Sequence, residues 1–196
     1  MPDDHVSARI APVDPPFEGP VAEELRRWMP PNAPLDPLLL FRTLARNVPL
    51  AAAMHPLGSF FLSRRFALGK REREIVIARV TARCGCEYEW GVHATAFGAA
   101  AGLDEAALRA TVHGTPANPA LSTTDRLLVR LVDELHDTAR VSDDLWRALA
   151  AEWPAETLLE LLVLVGWYHV IAFVANGPRV EREPWARRFP EPAGDL

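Results

Sequence analysis

Thiols are scarce in this chain: Cys84 and Cys86 are its only cysteines among 196 residues. Two cysteines one residue apart cannot build a disulfide framework, so a reducing, cytoplasmic setting is expected. A basic surplus is also missing, because the formal net charge is −5. Nucleic-acid binding usually needs a basic face. Arg64-Arg65 and Arg187-Arg188 are isolated pairs of the kind found on any solvated surface, so no nucleic-acid partner is expected. There is no GxGxxG after a strand and no P-loop, and no cofactor is expected. The first residues, Met1-Pro2-Asp3-Asp4-His5, are acidic and lack an apolar h-region, so no secretory leader is expected. Hairpin turn signals and low-complexity tracts are absent as well. The hydrophobic share of 49 % and charged share of 24 % are those of an ordinary globular chain.

The periodicity that is present is helical. Residues 1–20 hold five prolines and read as an extended arm. Val21, Leu25 and Trp28 then recur at helical spacing until Pro30, Pro31 and Pro34 stop them. Asp36 followed by Pro37 has the pattern of a cap and first turn. Residues 50–68 read as one or two short helices broken near Pro56-Leu57-Gly58. The β-branched run Ile75-Val76-Ile77 has no second strand to pair with, so 71–83 is predicted to be a buried helix. A helix from Cys86 to Ala101 should follow, ended by Gly102, with Asp104 capping the next. Ser122 to Asp125 has the form of a capping box, Ser142 opens another helix, and Asn176-Gly177-Pro178 closes a long apolar one. That last stretch, Leu158 to Ala175, is about as long as a membrane span. It contains Glu160, Trp167, Tyr168 and His169, so a buried helix and no membrane partner are expected. Tyr168 and His169 should point about 100° apart, so at most one reaches any site centre. The expected fold is all-α, a single domain of about seven to nine helices. It divides into an arm at 1–20, a helical domain at 21–180 and a tail at 181–196, the tail lying on the surface or on a partner subunit.

The informative segment is Cys84-Gly85-Cys86-Glu87-Tyr88-Glu89-Trp90-Gly91-Val92-His93. On a helix, Cys86, Glu89 and His93 share one face. A thiol, a carboxyl and an imidazole together make a proton-relay set, in which a base draws the thiol proton and the thiolate is the nucleophile. The same residues also have plainer readings: a buried Cys is a small hydrophobe, and Glu89 can be a solvated partner of His93. Cys84, Cys86 and His93 make a poor zinc set, since the Cys-x-Cys step has no matching second pair, and no metal is expected.

Arg73-Glu74-Ile75-Val76, Cys86 to His93 and Ala101-Gly102-Leu103 resemble the core of the carboxymuconolactone decarboxylase and alkyl hydroperoxidase D superfamily. The hydroperoxidase D branch has a Glu, eleven residues, then Cys-x-x-Cys-x-x-x-His. Here Glu74, eleven residues, Cys86 and His93 match, while the second Cys position is Glu89. The resemblance is strongest over 70–110 and looser over 35–176. It implies an all-α hydroperoxidase D-like bundle and a homo-oligomer of two or more subunits. It also implies a small-molecule substrate, either a hydroperoxide or a carboxylated metabolite. The leading expectation is a thiol-dependent, peroxiredoxin-type oxidoreductase, with Cys86 as peroxidatic thiol, His93 as base or proton shuttle, Glu74 orienting the relay and Glu89 tuning it. Tyr88 and Trp90 are the expected substrate-binding residues. Glu89 cannot resolve a sulfenic acid as a disulfide, and a Cys84–Cys86 bridge would close a strained ring. Peroxide chemistry would therefore be one-Cys chemistry or draw on an external thiol reductant. The alternative is the decarboxylase branch's cofactor-free acid/base work on a lactone acid, with His93, Glu74 and Glu89 as the working groups. A non-catalytic binding member of the fold is the third reading.

Overall fold

The computed structural model describes residues 7–30 and 35–192, which carry nine α-helices and two short 3-10 helices and no strand. The helices are α1 (Gly19–Trp28), α2 (Leu39–Leu44), α3 (Val48–Leu62), α4 (Lys70–Arg83) and α5 (Glu87–Ala96), followed by α6 (Glu105–His113), α7 (Thr123–Thr138), α8 (Asp143–Glu152) and α9 (Ala155–Asn176). The fold is thus all-α and forms one domain. Residues 1–6, Pro31, Pro34 and 193–196, on which parts of the expected arm, helix stop and tail fall, lie outside the described residues.

Helix α4 is the hub, packing against α5, α6, α7 and α9. Residues 73–81 are all buried. That explains why Ile75-Val76-Ile77 reads as a strand by composition yet folds as a helix. A helix enclosed on every side has no polar stripe, so its apolar residues lose their amphipathic period. Its buried polar groups are paired instead. Arg79 donates from Nε and Nη2 to Asp133 of α7 at 2.8 and 2.9 Å, and from Nη1 to the carbonyls of Thr111 and Gly114 at 3.1 and 3.0 Å. At the other end Arg71 grips Asp125, the residue that completes the capping box with Ser122 at the start of α7.

Three local expectations need correction. Asp36 and Pro37 do not start α2, whose cap is Leu38; the free N–H of Leu39 is taken by the buried carboxylate of Glu183 at 2.6 Å, a partner 144 residues away. Pro56 does not break the chain: α3 is one helix of 15 residues with Pro56 inside it. An interior proline costs a helix about 3 kcal/mol. Packing offsets this, for Ala51 and Phe61 are buried at either end, and a Cβ on Gly58 would sit 3.1 Å from the Trp167 ring of α9, so a glycine there allows the close approach. The helix expected from Cys86 to Ala101 is two pieces. Helix α5 stops at Ala96, a 3-10 turn follows at Ala99–Ala101, and Gly102 closes it at φ +67.

The described parts of the arm and the tail both fold onto their own chain. Arg42 donates to the Val13 carbonyl and to Asp14, and the Arg9 N–H to the Pro178 carbonyl. In the tail, the Arg187 carbonyl lies against Gly91, the Arg187 N–H donates to Thr95, and Phe189 packs on Trp90.

Candidate functional site: a buried carboxylate–imidazole–carboxylate relay

Helix α4 supplies Glu74, α5 supplies Glu89 and His93, and α9 supplies Tyr168. The sharp reversal between α4 and α5 is made by Gly85 at φ +60, a conformation that disfavours a side chain. It leaves Cys86 as the residue capping α5, outside the helix proper, so the expectation that Cys86, Glu89 and His93 lie along one helix is corrected to Glu89 and His93 alone. The Cys86 N–H donates to the Thr81 carbonyl, which holds the cap against α4.

His93 is the centre. Its Nδ1 lies 2.7 Å from Glu74 Oε2, and its Nε2 lies 3.3 Å from both Glu89 Oε1 and the Tyr168 hydroxyl. The other Glu74 oxygen, Oε1, accepts from Arg73 Nε at 2.8 Å, and the Arg73 guanidinium lies over the Phe97 ring. All of these groups are buried: His93 is 5 % exposed, Glu89 7 %, Glu74 2 % and Tyr168 3 %.

The charges follow from this packing. Burial alone would drive the His93 pKa down, but the Glu74 carboxylate, with help from Glu89, raises it to about 9. His93 is therefore an imidazolium at neutral pH, with both N–H groups donating. Burial also works against ionisation of Glu74, yet His93 and Arg73 together hold it below the usual carboxylate range. Burial lifts Tyr168 well above its ordinary value, and the charges of Glu89 and Glu74 add to that, so it remains a phenol. With His93 Nε2–H donating, the Tyr168 hydrogen is left to donate elsewhere. The remaining oxygen of Glu89, Oε2, is the single buried side-chain polar atom among the described residues that has no hydrogen-bond partner.

Cys86 lies against this cluster but is not wired into it. It is fully buried, and burial pushes its pKa up to about 12 despite the Glu89 N–H directed at the sulfur, while the Glu89 charge adds to the rise. Both nitrogens of His93 are committed to oxygen partners. Tyr88 and Trp90, the residues expected to contact substrate, both make buried hydrogen bonds within the chain. Tyr88 donates to Glu183 at 2.7 Å and accepts from the Leu40 N–H, and Trp90 donates to Thr111. They anchor α2, α6 and the tail. Tyr88 also lines a surface cleft of about 340 Å³, together with Gly85, Glu87, Asn176, Arg179 and Arg182 among others.

Glu74, Glu89 and His93, grouped by the sequence reading, lie together in the structure. Arg73 has no role in that reading, and of Tyr168 and His169, of which at most one is expected to reach a site centre, Tyr168 is the one beside His93. Arg73 had a signal, its place beside Glu74. Tyr168 had only its position in an apolar helix, where nothing in the spacing distinguishes a packing tyrosine from one facing a site 75 residues earlier in the chain. No protein-family model matches the chain, and no curated protein or solved structure matches it either.

Proposed function

We propose that the protein is a cofactor-free acid/base enzyme acting on a small carboxylated metabolite, as a lyase or isomerase, with Glu89 as base, His93 as acid and Tyr168 as hydrogen-bond donor to the substrate. The observation that carries this is the partnerless Glu89 Oε2, buried next to an imidazolium. A buried acceptor without a partner costs about 1–3 kcal/mol, a cost that a fold tolerates where a ligand supplies the missing donor. Glu89 would take a proton from carbon next to a carbonyl or carboxyl. The developing oxyanion would be met by the Tyr168 hydroxyl, and His93 would return a proton, its ring oriented by Glu74, which Arg73 in turn keeps ionised. The superfamily that the chain resembles includes a decarboxylase branch with chemistry of this kind, although the motif that carries the resemblance is that of the hydroperoxidase D branch. A homo-oligomer belongs to this reading and would bury the exposed stripe of Leu159, Val163, Val170 and Phe173 on α9. A cytoplasmic setting belongs to it too. Helix α9 is long and apolar enough to cross a membrane, and half of that span is buried inside the fold.

Thiol peroxidase chemistry is the second reading, favoured by the position of Cys86 at the start of α5, where the Glu89 N–H is directed at its sulfur. One experiment separates the two. Wild type, Cys86→Ser, Glu89→Gln and His93→Gln are assayed on a panel of lactone acids and other small carboxylates for proton exchange and decarboxylation. In parallel, intact mass records Cys86 oxidation by added hydroperoxide. The acid/base reading expects Cys86→Ser to retain turnover and the other two to lose about 10²-fold or more. Peroxide consumption that Cys86→Ser abolishes, with no activity on carboxylates, would overturn it.

A further inference from the structure

A second cluster of chemistry-bearing side chains lies near the surface, outside the relay. Cys84 caps α4, His136 lies in the last turn of α7, and His169 lies in the middle of α9. One donor atom from each lies within 4.8 Å of the other two. We propose that Cys84, His136 and His169 form a zinc-binding site, with a fourth position left to water.

The orientation of the donors supports this more than their proximity does. His169 donates from Nδ1 to the Val165 carbonyl at 2.8 Å. That bond fixes the tautomer and leaves the Nε2 lone pair facing His136, the outer support that metal-bound imidazoles commonly have. His136 Nδ1 lies 3.0 Å from His169 Nε2. Two nitrogens bound to one tetrahedral zinc at the usual bond length lie about 3.3 Å apart, so a shift of a few tenths of an ångström admits the ion. The third ligand is tethered to the same helix, since Asn176 of α9 donates to the Cys84 carbonyl at 2.9 Å. All three residues are half-buried, which keeps an entry path and an open fourth position.

The donor chemistry narrows the ion. One thiolate and two imidazoles suit zinc and its softer neighbours, whereas magnesium and calcium take oxygen ligands. The surrounding charge is accommodating: the nearest cation, Arg83, is paired with Asp133 at 3.3 Å and with Asp137, both on α7. On binding, the Cys84 thiol gives its proton to solvent and its sulfur bonds the metal. The proton shared between the two imidazoles leaves Nδ1 of His136, whose Nε2 then carries the ring's N–H. None of this involves Cys86, Glu89 or His93, so the site stands or falls independently of the proposed chemistry.

The test uses reduced, untagged, full-length protein. Zinc binding is measured by calorimetry, and Co²⁺ is added as a spectroscopic probe. The expected result is one ion per chain, with the thiolate-to-cobalt charge-transfer absorption and the intense visible bands of four-coordinate cobalt. Cys84→Ser should abolish the charge-transfer band. His136→Gln and His169→Gln should each weaken zinc binding by more than about 100-fold, beyond what loss of an outer-shell partner costs. Cys86→Ser should keep the band, and circular dichroism checks that each variant is folded. No cobalt–thiolate band, a band that disappears with Cys86 instead of Cys84, or binding indifferent to both histidine changes would overturn the proposal. The cluster would then be a histidine–histidine hydrogen bond beside a bystander thiol.

Discussion

Replacing Glu74 by Gln tests the electrostatic account of the relay directly. The substitution keeps the shape of the side chain and removes the charge that two buried cations share, His93 at 2.7 Å and Arg73 at 2.8 Å. Glu74, with help from Glu89, raises the His93 pKa from 6.5 to about 9 against the opposing effect of burial. Because the folded value lies above the unfolded one, the stabilisation from His93 is fully present below pH 6.5 and fades as pH rises through about 9. At 1.36 kcal/mol per pH unit the net shift is worth on the order of 3 kcal/mol, shared between the two carboxylates with Glu74 the larger contributor. Breaking a buried pair typically costs about 3–5 kcal/mol, so the variant should unfold well below wild type at pH 6. The gap should narrow by up to about 3 kcal/mol by pH 10, where His93 is mostly neutral in both proteins, and by less where Glu89 holds the variant's His93 pKa up. It should not close, since the Arg73–Glu74 pair persists in wild type. Urea unfolding across this pH range measures the stability, and imidazole NMR follows the titration of His93. The reasoning fails if His93 in the variant still titrates near 9, or if the gap between the two proteins does not change with pH.

Two further substitutions test the scaffold that holds the relay. Gly91→Ala gains up to about 1 kcal/mol of helix propensity, but its methyl would overlap the Arg187 carbonyl, so the tail must move. We expect a net loss of about 1–3 kcal/mol by urea unfolding and faster proteolysis of the tail; a variant more stable than wild type would show that the tail does not pack there. Arg79→Met breaks the four bonds from α4 to α7 and α6, and should cost about 3–5 kcal/mol by leaving Asp133 without its main partner. Adding Asp133→Leu should recover part of that loss, and a double variant no more stable than the single would show that the charge pair is not the source.

What the sequence made legible follows from what is local. Caps, helix-ending glycines and amphipathic faces are decided within a few residues, and Asp104, Ser122 and the close of α9 are where they were expected. Two of the misreadings occur where a distant group decides. The start of α2 depends on Glu183, and the continuity of α3 through Pro56 depends on Trp167 accepting a glycine. The tail covers its own α5 because Gly91 and Trp90 leave a place for Arg187 and Phe189.

The same division runs through the two clusters. Glu89 and His93 are one turn apart, so their meeting is visible in the spacing, and Glu74 enters through a motif. The Cys86 thiol sits in that motif too, but spacing carries no information about burial. Only the packing around the cap reveals a thiol held neutral, with its pKa pushed up to about 12. Cys84, by contrast, looked like the spare thiol, since its neighbours in sequence offer no second ligand pair. Its partners arrive 52 and 85 residues later, from the end of α7 and the middle of α9. Each of those histidines is alone on its helix and indistinguishable in sequence from a surface histidine. A reading confined to Cys84 through His93 therefore sees two neighbouring thiols, while the fold buries Cys86 beside the relay and sets Cys84 among the two histidines.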